Sequence, residues 1–128
     1  MMKKQRQRLG ALGEKIAADY LRNKGYEILG MNYFNRQGKR LGEIDIVAKD
    51  TSRNEIVFVE VKSRDQRRFG DSSPEENITE AKLHKLDRIA QIYMKNPAVA
   101  DFNYRFDALS VWIDKTARIA KIKHLKRL

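Results

Sequence analysis

Two neighbouring stretches, "GEIDIVAK" (42–49) and "IVFVEVKSR" (56–64), limit what this chain can fold into more than any other feature. Each is rich in aliphatic and β-branched residues, and "DTSRNE" between them has the polar composition of a hairpin turn. An antiparallel hairpin over residues 43–63 is therefore expected. The second run is almost unbroken apolar sequence through residue 61, as in a strand covered on both faces, yet Glu60 and Lys62 interrupt it. Alternate strand residues share a face, so Val57, Val59 and Val61 point one way and Ile56, Phe58, Glu60 and Lys62 the other. On the first strand Ile44, Ile46 and Ala48 oppose Glu43, Asp45 and Val47. If the hairpin turns between Ser52 and Arg53, Asp45 stands across from Glu60 and Glu43 across from Lys62. Directly opposed residues have Cβ atoms about 4.5–5.5 Å apart, close enough for two carboxylates to share a divalent ion. The plainer alternative is a hydrated hairpin surface with a Glu43–Lys62 salt bridge. The apolar setting argues for function, because carboxylates there are costly unless paired or metal-bound.

The rest of the chain supplies a frame for that hairpin. Leu9, Leu12, Ile16, Ala17, Tyr20 and Leu21 recur at helical spacing, predicting a helix over 8–24 stopped by Gly25. "YEILGMNYF" reads as a strand before the turn-forming "NRQGKR". "RDQRRFGDSSPEE" (64–76) has no apolar period and reads as a mobile loop. Leu83, Leu86, Ile89, Ala90 and Tyr93 mark a second amphipathic helix over 79–95, and "YRFDALSVWI" and "ARIAKIKHL" are two final strands. The expected order is α-β-β-β-α-β-β, an α/β fold in one domain spanning residues 1–128.

Charge and composition narrow the partners. Lys and Arg number 27 against 17 Asp and Glu, a net charge of +10 that favours anionic partners, nucleic acid or acidic membrane. No stretch approaches the roughly 18 apolar residues of a membrane span, and the basic start "MMKKQRQR" leads into no signal-peptide core, so a cytoplasmic location is expected. Cysteine is absent, which leaves oxygen ligands and a hard cation such as magnesium.

"GEIDIVAK" followed by "IVFVEVKSR" resembles the PD-(D/E)xK nuclease motif, with Asp45, Glu60 and Lys62 at its three core positions. The whole chain is similar to the YraN family of small bacterial proteins, through "LGEKIAADYL", the two motif strands, "EAKLHKLDRIAQIYM" and "YRFDALSVW". That resemblance implies a restriction-endonuclease-like core, a mixed sheet flanked by helices, as in archaeal Holliday-junction resolvases. It also implies that Glu14, in "LGEKIA", joins the metal site. Ile44 stands where the wider motif has its proline, a departure that leaves the chemistry on Asp45 intact.

The implied activity is a Mg2+- or Mn2+-dependent endonuclease acting on DNA, with branched or junction DNA as the substrate by analogy and DNA favoured over RNA. Asp45, Glu60 and Glu14 would be the metal ligands, Lys62 would orient water and stabilise charge, and Glu43 would support them from outside or pair with Lys62. Arg64, Arg67, Arg68 and Phe69, with Lys82, Lys85 and Arg88, are candidate nucleic-acid contacts, although basic loops and helix faces are also commonly just solvated. Arg105 and Asp107 share a face of the fourth strand and are expected to form a structural pair; Trp112 and Tyr93 are expected in the core, and His124 packed or exposed. A homodimer is expected by analogy with resolvases. A non-catalytic DNA- or RNA-binding module, or an assembly factor, on the same fold remains the alternative.

Overall fold

In the computed structural model, residues 3–34, 42–65 and 78–128 are described. Helix α1 (Lys3–Asn23) leads to strands β1 (Tyr26–Tyr33), β2 (Ile44–Asp50) and β3 (Glu55–Asp65), then helix α2 (Glu80–Tyr93) and strands β4 (Asn103–Asp114) and β5 (Ile119–Leu125). This is the α-β-β-β-α-β-β order read from the apolar periods, and it is consistent with a restriction-endonuclease-like core. The expected turn at 35–40 and the loop beyond residue 65 lie outside the described residues, whereas Arg64 and Asp65 extend β3 instead of opening that loop.

The strands form one sheet in sequence order. β3 is antiparallel to β2 but parallel to β4, from Glu55↔Asn103 to Asp65↔Ile113, so the sheet is mixed and α2 lies in the crossover between the parallel pair. The hairpin register follows the symmetric turn expected from the sequence: Ile46 faces Val59, Val47 faces Phe58 and Asp50 faces Glu55. Val57 and Val59 join Ile46, Ala48, Ala17 and Leu21 in a core beneath α1, while Ile56 and Phe58 join Val47, Leu86, Ile89 and Ala90 beneath α2. Two apolar faces on one strand explain the unbroken hydrophobic run of β3.

Two expectations are corrected. Ile44 belongs to the α2-side core, with Val47 and Phe58, rather than to the face of Ile46 and Ala48; it has lost its β3 partner but still pairs with Tyr33 of β1. Leu12 is exposed, although its spacing assigned it to the buried stripe of α1. Gly13 is buried in its place: a Cβ there would overlap Ser63 Oγ and stand 2.7 Å from Ser63 Cβ, so the absent side chain lets the helix backbone lie on β3.

The far end of the hairpin is held by charge. Arg105 on β4 is buried, and its guanidinium donates to Asp107 (3.0 Å), Asp50 on β2 (3.1 Å), Glu55 on β3 (2.6 Å) and the Tyr26 hydroxyl on β1 (2.9 Å). His124 on β5 adds Nε2 to Asp107 Oδ2 at 2.8 Å and lies 3.2 Å from the Tyr20 hydroxyl through Nδ1. The expected Arg105–Asp107 pair is thus one link in a network that reaches all five strands. Burial raises the Asp50, Glu55 and Asp107 carboxyls, but hydrogen bonds and the charge of Arg105 more than reverse this and hold all three below their ordinary values.

Replacing Arg105 by Leu leaves these carboxylates without their central cation. Urea unfolding is expected to show a loss of about 3–5 kcal/mol, the range for breaking a buried ion pair from one side. A loss below about 1 kcal/mol would mean that the network does not hold the strands together.

Candidate metal and nucleic-acid site

At the other end of the hairpin the β2–β3 ladder stops after Ile46↔Val59. The Val61 N–H then turns to a side chain and donates to Asp45 Oδ2 at 2.7 Å. This bond fixes Asp45 beside the carboxyl half of β3 and consumes a backbone donor that strand separation would have left unmet.

Helix α1 and the start of β2 bring three acids to this point. Glu14 from α1, Glu43 just before β2 and Asp45 within it present carboxylate oxygens that all lie within 4.8 Å of one another. Glu14 arrives through the close approach at its neighbour Gly13. β1 contributes Asn32, whose amide nitrogen, oriented toward the acids, donates to Glu43 Oε1 (2.9 Å) and Glu14 Oε1 (3.0 Å). Asn32 has a left-handed backbone (φ 53°) and follows a register shift between Ile28 and Gly30. Such irregularities re-aim side chains, and Asn is one of the few residues that adopt this backbone readily. Nothing in the sequence marks Asn32 for the role, because its partners become neighbours only through the bulge and the packing of α1.

Burial raises two of these acids more than their donors relieve them. Burial pushes the Asp45 carboxyl up to about 7; the Val61 N–H works against this, and the charges of Glu14, Glu60 and Glu43 add to it. Burial and the charge of Glu43 also raise Glu14, against the hydrogen bond from Asn32. An all-oxygen donor set suits a hard divalent cation, which would satisfy the same carboxylates that now repel one another.

Glu60 stands next to this group but is engaged elsewhere. Its Oε1 lies 2.6 Å from Lys82 Nζ on α2 and 3.6 Å from Lys62 Nζ. Lys62 therefore pairs with Glu60, not with Glu43 as the hydrated-surface alternative supposed. Glu43, Asp45 and Glu60 line a common hollow with Phe58 and Leu86. Beside it a groove of about 450 Å³ is lined by Glu43 and Glu60 on one side and by Thr79, Lys82 and Lys85 on the other. Thr79 caps α2, its hydroxyl accepting from the Lys82 N–H at 3.1 Å, and thereby sets where the helix and its lysines begin.

The other basic candidates are dispersed. Arg88 is exposed and lines a separate hollow with Gln91 and Lys95. Arg64 is half-buried on β3, with its Nε shielded from solvent. Arg67, Arg68 and Phe69 lie outside the described residues. Trp112 is buried and Tyr93 packs edge-on against Phe58, both in the core as expected. No helix among the described residues is long and apolar enough to cross a membrane.

The raised Asp45 pKa carries a stability signature. The folded protein keeps this proton above the ordinary carboxyl value of 3.8, so metal-free stability falls as pH rises through the window from there to about 7 and stays lowered above it. The full contribution is at most about 4 kcal/mol. Asp45→Asn removes it, so urea unfolding is expected to show the variant gaining on wild type by about 2 kcal/mol more at pH 8 than at pH 5. An equal difference at both pH values would contradict the assignment.

Comparison with known proteins places the chain in a family. The profile of the family described as "Uncharacterised protein family UPF0102" matches residues 13–111. A UPF0102 protein of Moorella thermoacetica is 40% identical over 121 residues, covering 94% of each chain. Another, from Clostridium botulinum (strain Loch Maree / Type A3), is 42% identical over 119 residues, covering 92% of this chain and 90% of its own. One from Caldanaerobacter subterraneus subsp. tengcongensis is 37% identical over 126 residues, 98% of this chain and 97% of its own. The chain belongs to the UPF0102 family, the YraN family that its motifs resemble.

Proposed function

We propose that this UPF0102 protein is a metal-dependent endonuclease that hydrolyses phosphodiester bonds in DNA, with branched or junction DNA as its preferred form. The observation that carries this reading is the convergence of Glu14 from α1 with Glu43 and Asp45 at the start of β2, beside Glu60 and Lys62 and at the edge of a lysine-lined groove. The match of Asp45, Glu60 and Lys62 to the nuclease motif supports it, and the preference for junctions rests on the likeness to resolvases.

In this reading Asp45, Glu14 and Glu43 hold a magnesium or manganese ion, and Glu60 stands ready to join them. When bound, the ion supplies Lewis acidity at the phosphate and lowers the pKa of attacking water. The protein's own groups do the rest. Val61 N–H and Asn32 fix the orientation of the acids. Lys62 orients the water and offsets negative charge that develops on the phosphate. Lys82 and Lys85 hold the strand by its phosphates, and the net charge of +10 draws it in.

A second reading, a nucleic-acid-binding module without cleavage, is favoured by one detail: Glu60 is paired with two lysines instead of standing within the acidic group. Cleavage of labelled four-way junction, flap, duplex and single-stranded DNA in Mg2+ or Mn2+ separates the two. Wild type is expected to cut, and Asp45→Ala and Lys62→Ala to fall by at least about a hundredfold, the scale for losing a positioned catalytic group. Binding of these DNAs by all three proteins with no cleavage by wild type would favour the binding module.

A further inference from the structure

The pairing of Glu60 has a consequence for the order in which ligands bind. Its Oε1 is 2.6 Å from Lys82 and 3.6 Å from Lys62, while Glu14, Glu43 and Asp45 form their close group without it. Lys62 is two residues along the same strand, so it moves with Glu60. Lys82 belongs to α2 across the groove, where it and Lys85 sit one helical turn apart on the same wall. The Lys82–Glu60 contact thus spans the groove that would receive a phosphodiester strand. Lys82 is about a third exposed and Glu60 13% exposed, so the ammonium end of the pair is open to a polyanionic competitor while the carboxylate end faces the hollow it shares with Glu43 and Asp45.

Resting on the metal-dependent reading above, we infer that Lys82 is a positioning residue that couples the two ligands. A backbone phosphate entering the groove takes Lys82, and Glu60, released, turns to the ion held by Glu14, Glu43 and Asp45. The metal site is then completed by nucleic acid, and each ligand tightens the other. Such coupling is reciprocal, so the factor by which an oligonucleotide tightens the metal equals the factor by which the metal tightens the oligonucleotide. Lys85 lines the same groove and supplies charge, but the contact with Glu60 is made by Lys82. The pair of lysines therefore separates coupling from general attraction.

The test is Mn2+ binding to the full chain, followed by loss of the free-ion EPR signal, with and without a short DNA oligonucleotide. Wild type is expected to bind Mn2+ at least about fivefold tighter when the oligonucleotide is present. Lys82→Met is expected to bind Mn2+ alone several-fold tighter than wild type and to gain nothing further from DNA. Lys85→Met is expected to bind DNA more weakly yet keep the coupling. Mn2+ affinity in wild type that is indifferent to DNA, or equal behaviour of the two variants, overturns the coupling while leaving the metal site standing. Absence of Mn2+ binding in wild type under both conditions overturns the coupling and the metal-dependent reading together.

Discussion

The hydrogen bond from Val61 N–H to Asp45 is the hinge between the fold and its chemistry. β2 and β3 pair as a regular hairpin as far as Ile46 and Val59, then part. A strand that leaves its partner inside a protein must find other acceptors for its amides, and here the acceptor is a carboxylate. One bond therefore satisfies a strand amide and anchors an acid in a shielded position, where Glu14 and Glu43 also arrive. Without that anchoring the three acids would have no common point to face.

The two ends of the hairpin answer the problem of shielded acids in opposite ways. At the end near the turn, Asp50 and Glu55, with Asp107 from β4, surround Arg105, and Arg127 and His124 complete the balance. Their carboxyls are held below the ordinary range. At the other end, the donors to Glu14, Glu43 and Asp45 among the described residues are an amide side chain and a backbone N–H, both neutral, and the carboxyls of Glu14 and Asp45 are driven up. One end is a finished structural network. The other is an acidic group whose burial is answered by neutral donors and which could hold a metal ion.

How much of this could be read from the sequence follows from the range of the interactions involved. Apolar period and turn composition are local, and they yielded the order of the seven elements and the hairpin register. Asp45 and Glu60 stood out because charge inside a doubly covered strand is conspicuous. The meeting of Glu14 with Asp45 came only by likeness to a family, since nothing in the chain says where α1 will lie on the sheet. Gly13 decides that, through an atom it lacks. Asn32 and the Lys82–Glu60 contact were illegible, for they depend on a bulge and on a helix crossing from the opposite face. Ile44 shows the limit of alternation itself, for it packs on the α2 side although it is two residues from Ile46 on the same strand.

The most direct test of the account is diffraction from crystals soaked in Mn2+, recorded for the anomalous signal of the ion. The account predicts a peak bonded to carboxylate oxygens of Glu14, Glu43 and Asp45, with Val61 N–H still on Asp45. Crystals that bind Mn2+ only elsewhere, or leave these three carboxylates without an ion at saturating concentration, would contradict it.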